Sequence, residues 1–265
     1  MNNWLSQQVV YNTEQWDKSM TTFFPESLLY MSKPEDYLNH LTQTCNYLKA
    51  TEQLDWNKYL QKDYVIADIG CGGGWLSGYL SQFEQIKTIY AIDSSLNYVQ
   101  NYLPTVISQM GGDYSKIEPV QALFSPVQLS DCSLDMIVIS SAIHHAEHMQ
   151  SVLSDFNRVL KRNKFLIILN ETPSSGTRYL YQISRAFTKM VWHVLRKQYV
   201  PFAEKISAAG YLYDPYLGDV DYPMWYWKKA IASAGFELEK IVNTNLPTVK
   251  NTKGRSLVHL VCKKS

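Results

Sequence analysis

Tyr64-Val65-Ile66-Ala67-Asp68-Ile69-Gly70-Cys71-Gly72-Gly73-Gly74-Trp75 decides the fold of this 265-residue chain. A short apolar run ends in closely spaced glycines, and a helix is expected to open near Trp75. Strand, glycine turn and helix start form a ligand-binding geometry. The glycines let the backbone turn sharply and let a ligand approach the main chain, while the free N–H groups of the helix start carry partial positive charge. A nucleotide-like ligand is the natural occupant. A second run, Thr88 to Ile92, ends in Asp93, placed so that its carboxylate can accept both hydroxyls of a ribose; Ser94 follows.

Outward from this turn, Leu134 to Ile139 and Phe165 to Leu169 are further short apolar runs. Between them, Val152, Leu153, Phe156, Val159 and Leu160 repeat at the spacing of one buried helix face. Strand and helix in alternation imply an α/β chain with a parallel sheet and right-handed crossovers. The chain closes differently. Leu238 to Thr248 and Ser256 to Lys263 flank the turn-prone Lys250-Asn251-Thr252-Lys253-Gly254, and so short a link requires antiparallel pairing. Residues 1–60 read as helical and aromatic, and residues 172–230 interrupt the alternation.

Composition narrows the function. Lys plus Arg number 25 against 24 Asp plus Glu, a net charge of +1 that provides no global field for steering onto nucleic acid. The four cysteines, Cys45, Cys71, Cys132 and Cys262, show neither a disulfide framework nor a zinc-knuckle spacing, which fits a reducing cytoplasm. No basic and apolar leader opens the sequence and no run approaches membrane-spanning length, so a soluble cytoplasmic protein is expected. Aromatic residues stand out: 23 of the 35 fall in residues 1–60 and 176–230.

A dinucleotide fingerprint needs G-x-G-x-x-G, but counting from Gly70 and Gly72 its third glycine position is Trp75. Asp68-x-Gly70-x-Gly72-x-Gly74 followed by Asp93 instead resembles the class I S-adenosylmethionine-dependent methyltransferases. The resemblance covers about residues 61–171 and resumes at 231–265. Asp131-Cys132-Ser133-Leu134-Asp135 is similar to the D-x-S-F-D that precedes the family's fourth strand. It implies a doubly wound, Rossmann-like, seven-stranded sheet with an antiparallel last strand, an N-terminal helical cap over residues 1–60 and an inserted substrate lid over 172–230. It also implies S-adenosylmethionine as cofactor and S-adenosylhomocysteine as product, held by Asp68, Gly70, Cys71, Gly72, Gly74, Asp93, Ser94, Phe124 and Ser140, with Tyr11 reaching in from the cap. Two positions depart from the pattern. Leu123-Phe124 stands where many relatives carry an acid for the adenine amino group, leaving that role to backbone near Phe124 and to Ser125; Arg162-Asn163-Lys164 replaces a Pro-Gly-Gly turn, with Asn163 expected in the left-handed region.

After the fourth family strand comes Ser140-Ser141-Ala142-Ile143-His144-His145-Ala146-Glu147-His148, which resembles the small-molecule, quinone-biosynthesis branch of the family. Methyl transfer is an in-line displacement, so the enzyme aligns an acceptor and, for a hydroxyl, removes its proton. Histidine suits that task at neutral pH. His145 is the first candidate base and His144 the second, while Glu171 could orient or deprotonate the acceptor. His144 and His148 beside Glu147 have helical metal-ligand spacing, but no H-E-x-x-H is present, and the expectation is a metal-independent enzyme. Asp214-Pro215-Tyr216 resembles a nucleic-acid amino-methyltransferase signature at the wrong place in the order, since Ser140-Ser141 occupies that position.

From Thr172 to Ala203 there is no acidic residue, while Arg178, Arg185, Lys189, Arg196 and Lys197 are basic. Ile183, Phe187, Met190, Val191, Val194 and Leu195 form a stripe opposite Arg185, Lys189, His193 and Arg196. Such a helix can have a solvated face, bind an acidic substrate or rest on a membrane surface. Further on, aromatic residues crowd between Tyr211 and Trp227. With Trp16, the residues Tyr211, Tyr222 and Trp225 are expected to line a water-excluding lid over a small, partly apolar or aromatic acceptor, oxygen being the expected methylated atom. The rings could equally pack a helical subdomain. A cofactor-binding partner subunit without chemistry, and a nucleic-acid methyltransferase, are the other functional readings.

Overall fold

The computed structural model describes residues 1–4, 33–146, 148–196, 222–248 and 255–265. Its strands are β1 (Asn2–Asn3), β2 (Tyr64–Ile69), β3 (Ile86–Asp93), β4 (Ile117–Gln121), β5 (Leu134–Ser140), β6 (Leu160–Glu171), β7 (Phe236–Pro247) and β8 (Ser256–Lys264). They form one sheet in the order β1-β4-β3-β2-β5-β6-β8-β7. Pairing is parallel from β1 to β6, whereas β8 runs antiparallel to both β6 and β7. The expected seven strands are therefore eight among the described residues. The addition is the two-residue β1, which pairs Asn2 with Val120 and Asn3 with Gln121 and satisfies backbone groups at an otherwise open edge.

The α-helices are α1 (Pro34–Asn39), continued by a π-helical turn to Thr44, α2 (Tyr47–Thr51), α3 (Trp75–Ser81), α4 (Leu103–Gln109), α5 (Met149–Val159), α6 (Gly176–Leu195) and α7 (Met224–Ser233). Every residue of β5 except Ser140 is buried, as a central parallel strand covered on both faces requires. Its side chains alternate between layers. Ile137 and Ile139 belong to the cluster of Phe156 from α5 and Trp227 and Ile231 from α7, while Met136 and Val138 join that of Leu76 and Leu80 from α3 and Leu103 and Ile107 from α4. Burial of this kind contributes about 2–3 kcal/mol for each large apolar side chain.

Strand β4 has no counterpart among the runs expected from sequence. Pro119 lies at its centre, and proline reads against a strand because it cannot donate to a ladder. It is tolerated here because β4 is next to the edge and β1 pairs only with Val120 and Gln121. Asn163 has the expected left-handed φ, 58°, but it lies within β6 rather than in a turn before it, where the pairing with β5 shifts between Leu160 and Phe165. The expected lid boundary at residue 230 falls inside α7, whose Trp227, Ala230 and Ile231 belong to the sheet's core. Just before α6, the Ser174 N–H donates to the Tyr222 carbonyl and the Met224 N–H donates to the Ser174 carbonyl, both at 3.1 Å.

Candidate active site

The loop after β2 builds one half of the site. Gly70, Gly72 and Gly74 all have positive φ, at 67°, 53° and 87°. A Cβ on Gly70 would lie 2.8 Å from the Ala142 Cβ and 2.9 Å from the Phe124 ring, so glycine lets three segments converge there. The N–H groups of Gly70 and Cys71 donate to the Ile92 carbonyl at the end of β3. Asp93 then uses both carboxylate oxygens, Oδ2 accepting from Gly72 N–H at 2.8 Å and Oδ1 from Ser95 N–H at 2.9 Å. These bonds hold the acid beside the glycine turn. Ser94, next in sequence, accepts from the Gln121 side chain through its carbonyl.

Asp68 is buried beneath the loop. Its Oδ2 accepts from the Ser77 hydroxyl at 2.7 Å, while Oδ1 is buried with no hydrogen-bond partner. Burial pushes this carboxyl up to about 7. The same desolvation, reinforced by the charges of Asp93 and Asp68, pushes the Cys71 thiol up.

Tyr11, expected against the cofactor site, lies outside the described residues, as do Trp16 and Tyr211. The aromatic residue that lies on the loop is Tyr37. Its hydroxyl accepts the Gly73 N–H at 2.9 Å, and a Cβ on Gly72 or Gly73 would lie within 2.6 Å of it. Tyr98 and Tyr102 flank its ring at 5.4 and 5.8 Å. Burial holds its phenol well above the ordinary range. The available signal was Pro34-Glu35-Asp36-Tyr37, a helix start with proline and acids in the first turn.

The other half follows β5 and β6. Ser140 accepts from the Asn170 side chain at 2.9 Å, and the Ser141 hydroxyl is 2.8 Å from the Tyr47 hydroxyl on α2. Ser141 and Asn170 both have positive φ, at 48° and 57°. The pairing of β6 with β8 slips between Ile168 and Glu171, an irregularity that re-aims the strand end. Glu171 is buried and points both oxygens at the segment after β5: Oε1 accepts the Ala142 N–H at 3.1 Å and Oε2 meets His144 Nδ1 at 2.8 Å. In the neutral imidazole, a carboxylate at Nδ1 favours the tautomer with its proton there, which leaves Nε2 as the nitrogen that bears the lone pair.

His145, the first candidate base from sequence, is exposed and lies against the His144 ring with centroids 4.3 Å apart. His144 instead holds the carboxylate, because the 3₁₀ turn Ile143–His145 separates the directions of the two side chains. Glu147 lies outside the described residues, and among those described no group of three or more His, Cys, Asp or Glu side chains is arranged to hold a metal.

Phe124 is half-buried at Gly70, whereas Ser125 turns away, its hydroxyl donating to Asp155 at 3.1 Å. Arg158 ties that stretch down through Asp155, Asp131 and the carbonyls of Val127 and Leu129. Tyr222, expected in the acceptor wall, is 1% exposed; its hydroxyl donates to the Ala146 carbonyl, bracing the histidine segment from the core. Trp225 is exposed and meets Tyr226 edge-on.

Beneath the site, His259 of β8 accepts the Asn170 N–H at Nδ1 and faces the Ala50 carbonyl at 2.9 Å through Nε2. The ring joins α2 to the end of β6 in its neutral form, and burial lowers its pKa.

Residues 67–168 match the methyltransferase domain family. A curated relative, the ubiquinone/menaquinone biosynthesis C-methyltransferase of Campylobacter jejuni, is 34% identical over 122 residues, covering 43% of this chain and 47% of the relative. The chain thus spans about half the length of the curated relatives it matches. Among solved structures, the geranyl diphosphate C-methyltransferase of Streptomyces coelicolor superposes with a TM-score of 0.59 at 10% identity, covering 83% of this chain and 79% of that one. A methyltransferase of Methanosarcina mazei gives 0.52 at 17% identity, covering 79% and 96%. These structural likenesses establish the fold.

Proposed function

We propose that this chain, a class I S-adenosylmethionine-dependent methyltransferase by its fold and its domain over residues 67–168, transfers a methyl group to a small, partly apolar organic acceptor. The observation that carries the reading is the approach of two units at Gly70 and Ala142: the glycine loop with Asp93, and the His144–Glu171 pair, whose carboxylate also holds Ala142.

The residues present fit the cofactor. Asp93 is an acid suited to ribose hydroxyls, and Asp68 keeps a buried carboxylate oxygen without a partner, an acceptor suited to the ammonium group. Gly70, Cys71, Gly72 and Gly74 would supply close backbone, Phe124 an apolar face, Ser94 and Ser140 flanking polar groups, and Tyr37 cover for the loop. When bound, S-adenosylmethionine supplies an electrophilic methyl carbon on a sulfonium. The chain's own work is alignment, exclusion of water and control of one proton. His144 is the proposed proton acceptor at Nε2, and Glu171 is its positioning residue. His145, exposed beside it, is proposed to border the acceptor.

Oxygen is the proposed methylated atom, because a hydroxyl proton is what a histidine base removes. Carbon is the second reading, favoured by the name of the Campylobacter jejuni relative. Residues 1–60 are the proposed cap and 172 to about 221 the proposed lid, with Tyr11 toward the cofactor and Trp16, Tyr211 and Trp225 toward the acceptor. The protein is proposed to act in the cytoplasm, on no nucleic acid.

The test is turnover of carbon-13-methyl S-adenosylmethionine against phenols, quinols and hydroxy acids. Labelled methoxy product supports oxygen, and labelled ring methyl supports carbon. Retained S-adenosylhomocysteine affinity by calorimetry, with no transfer to any acceptor, would overturn catalysis in favour of a cofactor-binding partner subunit.

A further inference from the structure

Helix α6 leaves the end of β6 five positions after Glu171 and runs for 20 residues. Several of its apolar side chains face outward: Leu180 is 67% exposed, Phe187 and Trp192 56%, and Leu195 77%. Tyr181 and Val191 are exposed as well. At 3.6 residues per turn these six positions fill an arc about 140° wide. Arg178, Arg185, Lys189 and Arg196 occupy helical positions along one border of that arc. Two arginines are joined to its rings, the Arg196 guanidinium lying 4.2 Å from the Trp192 centroid and that of Arg185 5.7 Å from the Tyr181 centroid.

We propose that α6 docks the chain onto an anionic lipid surface. A solvated helix face would be polar, whereas this one is apolar with a cationic border. An acidic protein partner would match the arginines but would also need a groove shaped to six apolar side chains. A lipid surface supplies both matches, acyl chains for Leu180, Phe187 and Leu195 and phosphates for the border. Rings paired with arginine suit the headgroup level, where the ring is half-immersed and the guanidinium reaches phosphate. No acidic residue from Thr172 to Ala203 opposes the contact. The helix would lie on the surface, since among the described residues no helix is long and apolar enough to cross a membrane.

The test is co-sedimentation of the full chain with phosphatidylcholine vesicles, with and without phosphatidylglycerol, together with tryptophan quenching by brominated lipids. Binding is expected on the anionic vesicles, with about fivefold loss of affinity for each of Arg185→Gln and Arg196→Gln. Phe187→Ser with Leu195→Ser is expected to abolish it while thermal melting stays unchanged. Quenching is expected in the wild type and reduced in Trp192→Phe, a readout that requires no destabilising change. Absence of binding to anionic vesicles overturns the proposal, as does binding indifferent to the Phe187 and Leu195 changes. Equal quenching in wild type and Trp192→Phe also overturns it, since another surface would then be the one immersed. Loss of all binding in salt without effect of the apolar changes would point to an acidic macromolecule instead and overturn the lipid assignment.

Discussion

His144 Nδ1 lies 2.8 Å from Glu171 Oε2, and the other oxygen of that carboxylate accepts the N–H of Ala142, two residues before the histidine. One buried acid therefore fixes both the ring and the backbone that presents it. Glu171→Gln is expected to lower kcat about 100-fold, the low end for loss of a positioned proton acceptor, with the KM for S-adenosylmethionine nearly unchanged. His144→Ala should lose at least as much, and His145→Ala only severalfold. Steady-state kinetics on the three variants decide it; equal losses at 144 and 145 would remove the assignment.

Asn170 precedes that acid in a left-handed conformation, with φ 57°. Its side chain donates to Ser140 and Thr51. Asn170→Gly keeps the backbone conformation and loses these bonds, about 1 kcal/mol each. Asn170→Val keeps neither, because a β-branched residue resists this conformation. Valine is expected to cut kcat at least tenfold further than glycine, measured at a temperature where both variants remain folded.

Gly73 and Tyr37 form a contact that no added methyl can enter. Gly73→Ala places a Cβ 2.6 Å from the Tyr37 ring, so it should destabilise by about 1–3 kcal/mol, as overpacking does. On a Tyr37→Ala background the same change should cost less than half as much. Urea unfolding of the double-mutant cycle measures the coupling. Additive effects would mean that Tyr37 does not lie on the loop.

Two buried groups give stability opposite slopes with pH. His259 has a lowered folded pKa, so its contribution is present above the ordinary 6.5 and falls as pH drops through that value toward the folded pKa. Asp68 has a raised one, about 7 against 3.8, so its protonated form favours folding below 3.8 and that advantage is lost as pH rises to 7. His259→Gln should flatten the acid side of the urea midpoint curve. Asp68→Asn should gain stability relative to wild type between pH 5 and pH 8. A constant difference across that interval would show that Asp68 does not titrate there.

The parts legible in sequence are those whose chemistry is local. A glycine turn between a strand and a helix, with Asp93 closing the next strand, is contained in about 30 residues, and the structure places those groups together as read. Asn163 has the left-handed φ expected of it for the same reason, although it lies at an irregularity inside β6. Long-range partnerships carry no such signal: Tyr37 reaches Gly73 across 36 positions, and His259 reaches Ala50 across 209. Two adjacent histidines carry no sequence signal that separates them, whereas a neighbour 27 residues away orients the ring of His144. Pro119 concealed β4 because proline's cost in a strand depends on whether a partner demands its missing N–H, which is a property of the sheet.

The reciprocal hydrogen bonds between Ser174 and the Tyr222–Met224 backbone pin the exit and re-entry points of the chain side by side. A segment whose ends already touch can change in length or sequence at small entropic cost to the rest, since doubling a loop adds only about 0.6 kcal/mol. On the proposed reading, the platform for the cofactor and the segment for the acceptor would then be separable units of inheritance. Substrate range could diverge by exchanging what lies between residues 175 and 221, and a chimera joined at that clasp should keep cofactor affinity while adopting the donor's acceptor.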